Sequence, residues 1–169
     1  MKKRTTKRNS ILFFLPLIIF GFFIVSCQED EKDMVKPKSL TDIIYASNDF
    51  TILQEIVAAG KMQDALRTEN LTLFAPNDIA FKKSGISTAS AITSQPIDSI
   101  ISFVNYHVLS QRYEYKNIPT GNIKAVNGRT IKVMKADSVY FLNKAEVSLK
   151  NVKADNGILH VVDRVLTDK

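Results

Sequence analysis

The chain has 169 residues, 23 basic and 17 acidic, with two histidines, one cysteine and no tryptophan. A lone cysteine excludes an internal disulfide and a cysteine-based zinc cluster. The net charge of +6 would suit nucleic acid or an anionic surface, but five basic residues and no acidic one crowd into the first 26.

Those five are Lys2, Lys3, Arg4, Lys7 and Arg8, and an apolar run from Ile11 to Val25 follows them. The run has the length of a signal-peptide core and falls short of the roughly 20 apolar residues of a spanning helix. Pro16 and Gly21 also weaken the alternative, an uncleaved membrane helix. Residues 1–26 are therefore expected to be a secretion leader. The leader takes five basic residues with it, so 18 basic face 17 acidic in the mature chain, a net of +1. No nucleic-acid partner is expected.

Ile24-Val25-Ser26-Cys27 resembles the lipobox of bacterial lipoproteins. That resemblance implies lipidation of Cys27 by acyl chains such as palmitate. Two or three chains make a lasting anchor where one binds only marginally. Residues 28–38 are charged and contain Pro37, as a flexible tether would. As coil they would hold the domain roughly 20 Å from the lipid. Glu29-Asp30-Glu31 resembles the surface-export signal of Bacteroidetes lipoproteins, although an ordinary solvated linker reads the same way. Gln28 is not the aspartate that retains lipoproteins in the enterobacterial inner membrane, so the outer membrane is the expected address.

The remaining segment, 39–167, suits one domain. Ser39 or Thr41 can cap a helix through Ser47, with Leu40, Ile43 and Ile44 on one face. Asp49 can cap the next, where Phe50, Leu53, Ile56 and Val57 recur until Gly60. A short helix over Met62–Leu66 precedes an apolar strand, Leu71–Ala75. Pro76-Asn77-Asp78 opens a helix through Phe81, and Pro96 another, with Ile97, Ile100, Ile101 and Val104 inward. From Val108 the pattern turns to strands. Asn127-Gly128 marks a hairpin with two positive-φ residues. Val139–Leu142 and Glu146–Leu149 follow, and Asn156-Gly157 turns Val152–Ala154 into Ile158–Val162. That last run is apolar on both faces and should be a covered central strand. The fold class is α+β, with N-terminal helices packed on a mainly antiparallel β-sheet wedge.

Four segments carry a family resemblance: LTLFAPNDIAF (Leu71–Phe81), NYHVL (Asn105–Leu109), VNGRTIKV (Val126–Val133) and NGILHVVDRVL (Asn156–Leu166). Together they resemble the fasciclin-like domain, a family of extracellular adhesion modules, across Ser39–Leu166. The resemblance implies a single such domain. It also implies attachment through protein or carbohydrate contacts, with no cofactor. In animal members a Tyr-His segment and an Asp-Ile motif are linked to integrin binding. Here the pair is Tyr106-His107, but Asn151-Val152 stands at the second motif. Thr72, Pro76, Asn77, Asp78, Phe81, Asn156, Gly157, His160 and Asp163 read as residues that keep the fold. Asn77 or Asp78 would cap a helix, Phe81 would enter the core and Asp163 would accept backbone N–H bonds.

No catalytic residue is singled out. The sequence lacks an HExxH helix, a GxSxG elbow, a phosphate loop and a CxxC pair, and His160 reads as a satisfied core histidine. Candidate binding residues are Tyr106, His107, Tyr113 and Tyr115. The last two could form an exposed aromatic platform beside Arg112 and Lys116, or a turn with one ring inward. Asp98-Ser99-Ile100 and Asp137-Ser138-Val139 resemble O-glycosylation triplets of Bacteroidetes. The expected function is non-enzymatic attachment at the cell envelope. The alternative is an accessory subunit of a polysaccharide-uptake system or an envelope hydrolase.

Overall fold

The computed structural model describes residues 38–168. The leader, Cys27 and the tether up to residue 37 lie outside them. The described elements run α1 (Leu40–Ala46), α2 (Thr51–Ala59), β1 (Leu71–Pro76), α3 (Asp78–Lys83), α4 (Ser90–Thr93), α5 (Ile97–Tyr106) and β2 (Val108–Leu109). Then come β3 (Gly121–Lys124), β4 (Thr130–Ala136), β5 (Val139–Leu142), β6 (Ala145–Lys153) and β7 (Gly157–Val162).

Ser39 caps α1. Its hydroxyl accepts from the Asp42 N–H at 3.2 Å, and the Asp42 carboxylate accepts from the Ser39 N–H at 3.0 Å, a reciprocal capping box. Thr41 is buried and donates to the Gln63 carbonyl instead. Asp49 does not cap α2. One open N–H in the first turn of α2 is met across the fold by Asp78, which accepts from the Ile52 N–H (3.0 Å) and also from the Thr51 hydroxyl (2.6 Å). At the other end of α2, Gly60 keeps an ordinary φ of −78°, and Lys61 takes the left-handed value, +53°. Met62 then donates back to the Val57 carbonyl at 2.9 Å and Lys61 to Ala58 at 3.0 Å, completing a Schellman closure. With Met62 consumed by that closure, the helix expected over Met62–Leu66 is replaced by a 3-10 turn at Ala65–Arg67. Ile97, expected inward on α5, is exposed in the helix's first turn, whereas Ile100 and Val104 are buried.

The seven strands form one mixed sheet in the order β2-β1-β7-β6-β5-β4-β3. Only β1–β7 is parallel, and the other pairings are antiparallel. Val126, in the β3–β4 loop, donates to the Val108 carbonyl of β2 at 2.9 Å, so the two ends of the sheet meet and the sheet curls nearly into a barrel. Glu146–Leu149 and Val152–Ala154 are not separate strands. They are halves of β6, joined through bulges, with Asn151 at φ +56°.

Alternation along β1 and β7 divides the interior in two. Leu71, Leu73, Ala75, Leu159 and Val161 share a core with Leu40, Ile44, Ile56, Val57, Phe81, Ile100 and Val104 of the helices. Phe74 and Val162 belong to a second core with Tyr106, Tyr115, Ile131, Val133, Tyr140 and Leu142. β7 is buried at every position, as its unbroken apolar run demands.

Candidate functional site

The corner where α5 passes into β2 holds the Tyr-His pair, and both residues are buried. The Tyr106 hydroxyl donates to the Thr130 carbonyl and accepts from the Asn143 carboxamide, each at 3.0 Å. The Arg129 guanidinium lies 4.6 Å from the ring centroid and pairs with Asp168. The His107 Nε2 accepts from the Leu166 N–H at 3.1 Å, so Nδ1 carries the proton and donates to the Phe103 carbonyl at 2.9 Å. Burial pushes its pKa down to about 4, against the opposing effect of the Phe103 carbonyl. The ring is therefore neutral at pH 7, with both nitrogens committed.

His160 repeats the arrangement inside the second core. Its Nδ1 accepts from the Asn151 N–H at 3.1 Å, and Nε2 donates to the Tyr113 carbonyl at 3.0 Å. The ring stacks on Phe74 at 5.7 Å. Burial again lowers its pKa. Among the described residues, neither imidazole has a carboxylate partner to poise it as a base.

The other motif residues lock segments that are distant in sequence. The Thr72 hydroxyl donates to the Gln111 carbonyl (2.6 Å) and accepts from the Tyr113 N–H (2.8 Å). Asn77, not Asp78, caps α3 through the Ala80 N–H at 2.9 Å. Pro76 ends β1 opposite Val162, and Phe81 is fully buried. Asn156 accepts from the Leu40 N–H (2.9 Å) and donates to the Leu66 and Thr68 carbonyls (2.8 Å each), tying the end of β6 to α1 and the segment before β1. Asp163 accepts from the Glu146 N–H at 2.8 Å.

A family profile described as the Fasciclin domain matches residues 48–168, across all of these positions. The chain belongs to the fasciclin domain family. It is 26% identical over 130 residues to Protein sll1483 of Synechocystis, covering 76% of this chain and 72% of that protein. It is 28% identical to human periostin over 131 residues, covering 76% of this chain but only 16% of periostin. Among solved structures, a FAS1 domain pair from the insect cell adhesion molecule Fasciclin I superposes with a TM-score of 0.61 at 17% identity. That match covers 78% of this chain and 51% of the pair, so it speaks for the fold.

Within this fasciclin domain, the four aromatic or imidazole candidates do not converge on one surface. Tyr106 and His107 are core residues. Tyr115 is the inward ring of its segment: its hydroxyl donates to the Ser138 carbonyl (3.0 Å) and accepts from the Tyr140 N–H (3.1 Å), and its ring meets Tyr140 edge-on at 5.0 Å. The exposed platform is therefore corrected, because the unpaired backbone of the β4–β5 turn draws that hydroxyl inside. Tyr113 is half-buried and bonds Gln111. Asn151 suits its positive φ, and its carboxamide oxygen accepts from the Tyr115 N–H at 2.7 Å. Ser99 and Ser138 are both exposed.

Among the described residues, two of the concavities have the size and lining to receive a ligand. One, of about 570 Å³, runs past Ser102, Phe103, Tyr106, Arg129 and Leu166. The other, of about 480 Å³, is floored by Tyr115 and Tyr140 and lined by Lys116, Lys135 and Lys150. Lys135 and Lys150 escape motif reading because they sit on β4 and β6, far in sequence from Lys116. The available signal is the excess of basic residues over the strand-forming segment.

Proposed function

We propose that this domain is a non-enzymatic attachment module, held at the bacterial outer membrane by lipid on Cys27. The observation that carries the reading is how the family motifs are used. Both histidines and the Tyr-His tyrosine hold backbone segments together, leaving recognition to the surface concavities. Fasciclin domains are associated with cell adhesion, and the solved relative is a pair from an adhesion molecule. The lipobox-like sequence before Cys27 and the acidic tether after it support a membrane-proximal position.

Intact cells expressing wild type or Cys27→Ser, followed by protease shaving and screening of the full chain on glycan and matrix-protein arrays, test both halves. Cys27→Ser should release protein from the membrane fraction, and wild type should retain a ligand on the arrays. Retention of the mutant in the membrane would overturn the anchor. Turnover of an array glycan or peptide by the purified chain would favour the hydrolase alternative.

A further inference from the structure

The strand-forming segment carries charge that the helical segment lacks. From Lys116 to Lys153 there are eight basic residues and two acidic ones, whereas Lys38 to Gln111 holds five basic and seven acidic. Three of the eight converge although they come from different elements. Lys116 lies in the 3-10 turn at Tyr115–Asn117, Lys135 on β4 and Lys150 on β6, and all three line the 480 Å³ concavity.

The floor of this concavity holds two of the ammonium groups in place. The Lys150 Nζ lies 4.2 Å from the Tyr115 ring centroid, and the Lys135 Nζ 5.1 Å from that of Tyr140. Both rings are buried and fixed, Tyr115 through the bonds given above and Tyr140 through its hydroxyl on the Lys116 carbonyl at 3.3 Å. Among the described residues no carboxylate forms an ion pair with any of the three lysines, although Glu114 and Asp137 are near in sequence. Asn151 adds an amide donor, because only its oxygen is used on Tyr115, and Ser138 adds a hydroxyl. The concavity is thus rich in donors, positively charged and partly preorganised. Its volume lies within the roughly 300–1,000 Å³ of small-ligand clefts.

We propose that this concavity binds an anionic polysaccharide, seating a carboxylate or sulfate of one acidic sugar among Lys116, Lys135 and Lys150. A polymer fits better than a single small anion because Lys124, Lys132, Lys144 and Lys153 extend the positive surface over β3, β4, β6 and the β5–β6 turn, all exposed. A concave site admits a chain, where a planar membrane would meet only its edges. The proposal rests on reading the domain as an attachment module and supplies the chemical class of its ligand.

The test measures binding of the full chain, in neutral detergent, to immobilised polygalacturonate, dextran sulfate, uncharged dextran and polyglutamate. Lys116→Gln/Lys135→Gln/Lys150→Gln should weaken binding to polygalacturonate or dextran sulfate by at least about ten-fold. An equal charge change on the helical side, Lys38→Gln/Lys61→Gln/Lys82→Gln, all exposed, should weaken it by less than about three-fold. The melting temperatures of both variants should stay near wild type, because glutamine keeps most of the lysine stem. Equal losses in the two variants would reduce the effect to overall charge and overturn the site. Tighter binding to polyglutamate would assign the concavity to acidic protein instead. Binding of a neutral glycan unaffected by either variant would overturn the site and leave the attachment module standing. Absence of binding to every polymer here and on the glycan and matrix arrays would bring down both.

Discussion

The two cores on either side of β1 and β7 are built from different side chains. The helix-facing core is almost entirely aliphatic, with Leu40, Ile44, Leu53, Ile56 and Leu73, and its polar bonds lie at helix ends, made by Ser39, Asn77, Asp78 and Asn156. The strand-lined core contains three tyrosines whose hydroxyls each reach a main-chain carbonyl: Tyr106 to Thr130, Tyr115 to Ser138 and Tyr140 to Lys116. Helices satisfy their own backbone except at the termini, so caps suffice there. Short, bulged strands and 3-10 turns leave carbonyls stranded near the interior. A tyrosine can fill space and still reach such a carbonyl.

The largest test of that contrast is Tyr115→Ala, which should cost about 4 kcal/mol in denaturant unfolding through the cavity it leaves. Leu53→Ala on the helical side should cost about 3 kcal/mol for the same reason. The sharper pair is conservative. Tyr115→Phe leaves the Tyr140 N–H and the Ser138 carbonyl without a partner and should cost about 1–2 kcal/mol. Leu53→Met should cost less than about 1.5 kcal/mol because it orphans nothing. A Tyr115→Phe protein as stable as wild type would remove the hydroxyl's role and with it the distinction between the cores.

Acid should act through the imidazoles that brace both cores. His107 has its folded pKa lowered from 6.5 to about 4 by burial, so the unfolded chain binds the proton first. The stabilisation is complete above pH 6.5 and is lost as pH falls from there towards 4. At about 1.36 kcal/mol per pH unit, the loss is about 3 kcal/mol. His160, shifted in the same direction, adds to it. Unfolding curves at pH 7.5 and 4.5 read the loss, and an NMR titration of the His107 ring assigns it. A midpoint near 6.5 for that ring would sink this account.

Gly157→Ala probes the seam between the cores. An added Cβ would sit 2.4 Å from the Leu71 carbonyl oxygen, which is backbone and cannot yield, and 2.9 Å from the Leu40 Cδ1. The parallel β1–β7 pairing must spread, at a cost of about 3 kcal/mol. If calorimetry finds the variant within about 0.5 kcal/mol of wild type, the close approach is not needed.

How much of this was legible depends on whether a residue acts locally or at a distance. The strands at Leu71–Pro76 and Gly157–Val162 follow from continuous apolar runs, and the helices near Ile44, Ile56 and Ile100 from helical periodicity, because burial imposes both patterns directly. The Asn156-Gly157 pair marks the turn before β7, but not through glycine's backbone freedom. No residue from Asp155 to Gly157 has a positive φ; Asn156 is there to bond α1 and the Leu66–Thr68 segment, and Gly157 to let β1 approach. Asp78 looked like a cap for its own helix and serves α2, 26 residues earlier. The lysine-lined concavity was illegible as a motif, since Lys116, Lys135 and Lys150 meet only once the sheet has curled. The turn residues Asp137 and Asn143, both at positive φ, were also missed, because neither precedes a glycine.

The smallest expected effect separates the two glycine-bearing turns. Asn127-Gly128 was expected to use positive φ at both positions, but only Gly128 does, at +81°. Ala125 donates to the Arg129 carbonyl at 2.9 Å, closing a three-residue loop in which Gly128 alone is left-handed. The Asn127 carboxamide is spent on the Ser102 carbonyl of α5 at 2.9 Å, fastening the hairpin to the helix. A Cβ on Gly128 would meet nothing within 4 Å, so Gly128→Ala pays only the left-handed backbone penalty, about 1 kcal/mol. Gly128→Asn should recover part of that, since asparagine tolerates the region. Gly157, with ordinary φ and no space, should show the reverse pattern: asparagine, being larger, should be worse than alanine. Thermal unfolding of the four variants, Ala and Asn at each glycine, decides the matter. The same ranking at both sites would mean that conformation and crowding have been wrongly assigned between them.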